Sequence, residues 1–123
     1  MRVLVCGGRD FDDWDKLDGA LKKVLRQSFN EKINSHELVI IEGGAIGADF
    51  LARVWAIYEG YSFLEFPADW NRHGKKAGSI RNQQMLDEGK PDLVLAFPTE
   101  KSIGTWDMIK RATDAGVQVE VIK

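Results

Sequence analysis

Two runs, Val3-Leu4-Val5-Cys6 and Leu93-Val94-Leu95-Ala96-Phe97, are apolar at every position, and each stops at a turn residue, Gly7 or Pro98. A strand wetted on one face alternates apolar with polar residues. Unbroken apolar runs of this length belong to strands covered on both faces, which are parallel strands joined by helical crossovers. The intervening sequence supplies the crossovers. Leu17, Ala20, Leu21, Val24, Leu25 and Ser28 repeat at helical spacing behind Asp12, Asp13 and Asp15, which suit the cap and first turn. A polar connection over 30–37, with His36 exposed in it, leads to a second strand over 38–41.

A second helix is expected over 47–58, patterned through Phe50, Leu51, Val54 and Trp55 and stopping near Gly60. A third strand over 62–66 is closed by Pro67. A third helix over 77–88 ends at Gly89 with Pro91 beyond, and a fourth over 105–115 ends at Gly116 before a last strand over 117–122. The alternation predicts one α/β domain over 1–123, doubly wound, with a mainly parallel five-stranded sheet and helices on both faces. Every strand-to-helix loop then opens on the carboxyl edge, where such folds take ligands.

The loop after the second strand, Glu42-Gly43-Gly44-Ala45-Ile46-Gly47-Ala48-Asp49, is the strongest functional signal. Glycines at a strand-to-helix turn let a ligand approach the backbone, and the first helical N–H groups can donate to an anion. The same glycines also suit a tight turn and close helix-to-sheet packing. The other loops on that edge are Gly7-Gly8-Arg9-Asp10, then 67–74 with Asp69, Trp70 and His73, then 98–105 with Pro98, Gly104 and Thr105.

Together they offer what a nucleotide needs: backbone donors, Arg9 or Arg81 for phosphate, Trp70 for stacking and carboxylates for ribose hydroxyls. Each has a plainer reading. Trp70 also suits a partly buried lid, Asp10 a turn cap, and Asp49 a first-turn helix charge. His73 is an acid–base candidate without a paired carboxylate at diagnostic spacing. Trp55 and Trp106 fall on helices and are expected to pack.

Composition narrows the classes. A net charge of −2 argues against non-specific binding of duplex nucleic acid, although Arg72, His73, Lys75, Lys76 and Arg81 form a locally basic stretch. Cys6 is the only cysteine, which excludes an internal disulfide and a cysteine metal cluster, and it reads as a small buried hydrophobe. No metal-ligand spacing and no Ser or Cys nucleophile motif appears. No apolar stretch has transmembrane length and no signal peptide is visible, so the expected location is cytoplasmic, without membrane contact.

The ordered set of motifs is more specific than any one loop. Gly7-Gly8-Arg9-Asp10-Phe11, Gly43-Gly44-Ala45-Ile46-Gly47-Ala48-Asp49, Phe66-Pro67-Ala68-Asp69-Trp70, His73-Gly74-Lys75 and Gly78-Ser79-Ile80-Arg81-Asn82 follow one another, as do Gly89-Lys90-Pro91-Asp92, the 93–98 strand end and Gly104-Thr105. This order resembles the YspA/YpsA-related branch of the SLOG superfamily over nearly the whole chain. The resemblance implies a Rossmann-like domain that binds nucleotides or nucleotide-derived small molecules. Related branches include "Lonely guy" or lysine-decarboxylase-like phosphoribohydrolases and the DNA-processing protein of natural transformation. It also makes Gly43, Gly44, Gly47 and Asp49 phosphate-loop candidates, and self-association is expected only by analogy.

The phosphoribohydrolase signature Pro-Gly-Gly-x-Gly-Thr-x-x-Glu is altered here. Thr99-Glu100-Lys101-Ser102-Ile103 separates Pro98 from Gly104-Thr105, and Met108 stands at the glutamate position beside Asp107. The expectation is therefore a nucleotide-binding module that requires no cofactor; nothing in the sequence supports Mg beyond its general compatibility with nucleotides. The expected contacts are Gly7, Gly8, Arg9, Gly43, Gly44, Ala45, Gly47, Asp49, Asp69, Trp70, Arg81, Asn82, Pro98, Gly104 and Thr105. The alternatives are a nucleoside-phosphate hydrolase using Asp10, Asp69 or His73, and single-stranded nucleic-acid binding along 72–81.

Overall fold

The computed structural model describes residues 1–30 and 38–123, so the expectation for His36 lies outside the described residues. The strands are β1 (Arg2–Gly7), β2 (Val39–Glu42), β3 (Ser62–Glu65), β4 (Leu93–Phe97) and β5 (Gln118–Val121). The helices are α1 (Trp14–Asn30), α2 (Ala48–Glu59), α3 (Trp70–His73), α4 (Ala77–Gly89) and α5 (Ile103–Asp114), with a 3-10 turn over Gly74–Lys76 between α3 and α4. The sheet order is β3-β2-β1-β4-β5 and every pairing is parallel, so the sheet is wholly rather than mainly parallel.

The two runs that predicted buried strands are the central β1 and its interior neighbour β4, with Cys6 opposite Ala96 and Gly7 opposite Phe97. One face of the sheet carries α1 and α2 through Leu17, Leu21, Val24, Ala52 and Trp55. The other carries α4 and α5 through Met85, Leu86, Met108 and Ala112. β1 and β4 are neighbours whose following helices leave to opposite faces. Their carboxyl ends form the switch point where doubly wound sheets open a crevice.

Local chemistry sets the helix ends. Asp13 Oδ1 accepts from Lys16 N–H at 3.1 Å, the side-chain cap foreseen for α1. Gly60, with φ of 82°, ends α2 in the left-handed conformation. At α4 the left-handed residue is Lys90, not Gly89. Gly89 remains helical, and a Cβ there would come within 3.2 Å of Ile41 Cδ1, so its smallness serves the helix-to-sheet contact.

Three expectations need correction. The buried stripe of α2 is Ala48, Ala52, Trp55 and Ala56, while Phe50 is 48% exposed. Small residues let this helix lie close to the sheet, which turns Phe50 outward. Trp106 is 47% exposed, with Lys123 Nζ over its ring, whereas Trp55 is a core residue whose Nε1 donates to Asp18. The segment 70–73, expected as loop, is a helical turn capped by Asp69, which accepts from Arg72 N–H at 3.1 Å.

Candidate functional site

β2 ends in Glu42, and the glycine turn folds back over the strand end. Gly44 and Gly47 have φ of 76° and 86°, conformations that glycine adopts without steric cost. Three consecutive amides of this turn are given to the chain's own carboxylates. Gly43 and Ala45 donate to Asp49 Oδ2 at 3.1 and 3.3 Å, and Gly44 donates to Glu42 Oε2. Asp49, in the first turn of α2, is thus an internal anion seated where an external phosphate was expected.

Both carboxyls are buried, and Glu42 Oε1 has no hydrogen-bond partner. Burial pushes Glu42 up to about 7; the Gly44 N–H and Arg53 oppose the rise, and the Asp49 and Glu65 carboxylates add to it. Burial likewise raises Asp49 to about 6 against the pull of Arg81, the two amides and Arg9.

α4 ties this turn to α5. Arg81 Nη1 donates to the Gly43 carbonyl and its Nε to Asn82 Oδ1. Asn82 Nδ2 in turn donates to the Gly104 carbonyl at 3.1 Å and to Asp107 Oδ2 at 2.9 Å. Arg111 Nε also donates to Asp107. In the β4–α5 connection, Ser102 Oγ accepts from Thr99 N–H and provides no side-chain cap to α5. A Cβ on Gly104 would meet nothing within 4 Å.

That first turn of α5 opens on a cavity of about 320 Å³ at the β1/β4 switch point. Gly7, Ala45, Asp49, Arg81, Asn82, Ser102, Gly104 and Thr105 are among its lining residues, with Arg9, Lys75 and Lys101 adding positive charge. Its carboxylates, Asp49 and Asp107, are already engaged by protein donors. The uncompensated charge of the cavity is positive, which favours an anion. A second cavity of about 390 Å³ adjoins it, and the two share Arg9, Ala45, Trp70 and Arg81.

A family model described as the YspA, cpYpsA-related SLOG family matches residues 1–73. The chain belongs to this SLOG family. It is 39% identical over 123 residues to the Gene 61 protein of Mycobacterium phage D29, spanning 96% of this chain and 93% of that protein. Among solved structures it is similar to DNA processing protein A (DprA) from Streptococcus pneumoniae, with a TM-score of 0.72 at 21% identity. That match covers 99% of this chain and 50% of the DprA chain, and it shows the shared Rossmann-like fold.

In this SLOG domain the expected site residues separate into groups. Gly7, Arg9, Ala45, Asp49, Trp70, Arg81, Asn82, Gly104 and Thr105 line the first cavity, and Gly43 and Gly44 line the second. Gly8 and Gly47 serve the backbone instead. The Gly8 carbonyl accepts from Phe11 and Ala48, and a Cβ on Gly47 would collide with it. Pro98, Asp10, Asp69 and His73 are outside the linings of both cavities.

Asp10 accepts from Thr99 Oγ1, which holds its carboxyl below the usual value, and Asp69 caps α3. Met108 is 1% exposed in the core, so the glutamate position of the phosphoribohydrolase pattern faces away from the site, while Asp107 lines it. Sequence reasoning named Glu42, Lys101 and Ser102 only as members of the edge loops and Lys75 only within the basic stretch, and assigned none of them to the nucleotide site. Cys6 lines the cavity too, but burial and Asp49 raise its thiol pKa, so it stays protonated. Among the described residues, no group of His, Cys, Asp and Glu is arranged to hold a metal ion, and no helix is long and apolar enough to cross a membrane.

Proposed function

We propose that this SLOG domain binds a nucleotide or nucleotide-derived small molecule at the carboxyl edge of its sheet, as a sensor or binding module. The reading rests on one observation: cations from two loops, the 3-10 turn and α4 meet the first turn of α5, which has no side-chain cap, in a single cavity. Phosphate oxygens would accept from the Gly104 and Thr105 amides, as anions do at helix N-termini, with Arg9, Lys75, Arg81 and Lys101 around them. The first part of the glycine turn after β2 would contribute shape and not donors, because the Gly43, Gly44 and Ala45 amides are taken.

Thermal melting with mono- and dinucleotides, base-free phosphates and short single-stranded oligonucleotides tests this. A ligand at a hundred times its Kd adds about 2.7 kcal/mol, which raises Tm by roughly 5–15 °C in a domain of this size. At least one nucleotide should do so. A flat response to all nucleotides would sink the proposal. Stabilisation by oligonucleotides alone, steeply lost with salt, would favour the exposed Arg72, Lys75 and Lys76 as a single-strand surface. Release of free base from a monophosphate would favour the hydrolase reading.

Arg81 carries the second prediction. Its guanidinium holds Gly43 and faces Asp49 as well as both cavities. Arg81→Ala should weaken nucleotide binding by about ten- to a hundred-fold, measured well below the melting temperature. Arg81→Lys should recover only part of the loss, because an ammonium cannot bond Gly43, Asn82 and a phosphate in one plane. Equal affinity in all three proteins would move the phosphates away from α4.

A further inference from the structure

The two adjoining cavities differ in chemistry. The first is cationic and includes the open turn of α5. The second draws its only charged members, Arg9 and Arg81, from the wall it shares with the first. Its floor is Gly43, Gly44 and Ala45, whose amides are already bonded to Asp49 and Glu42. A phosphate placed there would find few free donors. Ile46, 69% exposed, and Trp70, 49% exposed, also line it, contributed by the β2–α2 turn and by the start of α3, with Pro67 and Ala68 completing an apolar surface.

Large apolar side chains held out to water around a groove suit a flat apolar group that covers them. Arg9 has its guanidinium 5.7 Å from the centre of the Trp70 ring. A cation thus marks the junction of the two lobes.

We infer that the second lobe is a base-binding subsite, in which a nucleobase packs against Trp70 and Ile46 while the phosphates of the same ligand occupy the lobe at α5. This rests on the nucleotide reading above and assigns the orientation of the ligand within it. Stacking is tolerant of base identity, since every base has a π face. The subsite therefore takes purine and pyrimidine nucleotides alike, and selects any nucleotide over a base-free phosphate.

Calorimetric titration of the intact protein with ADP, GDP, CDP, UDP and inorganic pyrophosphate tests the assignment. The parent should bind the tightest nucleoside diphosphate at least ten-fold more strongly than pyrophosphate. Trp70→Ala should lower that affinity by about ten- to a hundred-fold, well beyond any loss of pyrophosphate affinity through Arg9. Ile46→Ser, which lines the second lobe alone, should lower it by less, with pyrophosphate affinity unchanged. Both side chains are substantially exposed, so the variants should keep the parental circular dichroism. Trp70→Phe should recover most of the loss.

Nucleotide affinities unaltered by Trp70→Ala and Ile46→Ser would overturn the base subsite and leave the nucleotide reading intact. Pyrophosphate binding as tightly as the nucleotides would do the same. A parent that binds none of the four nucleotides would overturn the base subsite, and a flat melting response to every nucleotide would overturn both.

Discussion

Gly47→Ala should be the most damaging single substitution in the glycine turn, lowering stability by about 3 kcal/mol or more. Two costs combine. Gly47 has φ of 86° and ψ of −130°, a region where a side chain costs about 1–3 kcal/mol. Its added Cβ would also run into the Gly8 carbonyl oxygen and the Arg9 backbone, and forcing atoms into a packed site costs about 1–3 kcal/mol again. Backbone atoms at both positions leave little room for relief, because Gly8 is bonded to Phe97 and Ala48 across the switch point.

Gly60→Ala is the control. It has φ of 82°, but a Cβ there meets nothing within 4 Å, so only the conformational cost of about 1–2 kcal/mol applies. Urea denaturation of the two variants separates the contributions. Equal losses would mean that the close approach of α2 to the β1 loop contributes nothing to stability.

Glu42→Gln should stabilise the protein at pH 8 by about 2–3 kcal/mol, an advantage that fades as pH falls toward about 4.5. The sign follows from the proton count. Glu42 rises from 4.5 to about 7 on folding and Asp49 from 3.8 to about 6, so the folded state binds protons more tightly than the unfolded chain. Their contribution to stability is best below the unfolded values. It declines through the window up to about pH 7, where both are ionised in the buried turn. The Asp49 carboxylate contributes to the rise of Glu42, so the two costs are linked and do not simply add.

Glutamine keeps an acceptor for Gly44 N–H and removes the charge. Its amide nitrogen replaces Glu42 Oε1, which has no hydrogen-bond partner, with a donor in the field of the Asp49 and Glu65 carboxylates. Urea midpoints of parent and variant from pH 4.5 to pH 8 measure the effect. A constant difference across that range, or a variant less stable at pH 8, would show that Glu42 is not a buried titrating charge.

Elements whose signal lies in a few consecutive residues were legible in the chain. The runs 3–6 and 93–97 read as doubly covered strands because no polar residue interrupts them, and they are the central strand and an interior neighbour of it. α1 read correctly because its apolar stripe repeats through several turns and Asp13 stands at its start. α3 was missed because a four-residue helix has no periodicity to detect, and one side-chain cap decides it. Phe50 and Trp106 were misplaced because an apolar residue on a helix does not say which face the sheet will take.

For the site, the amino-acid sequence determined the carboxyl edge and the glycine turn. Both follow from strand order along the chain and from backbone freedom, which are local properties. Tertiary structure decided which groups meet there. It gave the amides of Gly43, Gly44 and Ala45 to Asp49 and Glu42, joined α4 to α5 through Asn82, and turned Met108 into the core beside Asp107 at the cavity. Hydrogen-bond partners and desolvation depend on atoms brought together from distant parts of the chain. A carboxylate that reads as a helix-start charge therefore becomes a buried clamp with a raised pKa only once the sheet has closed around it.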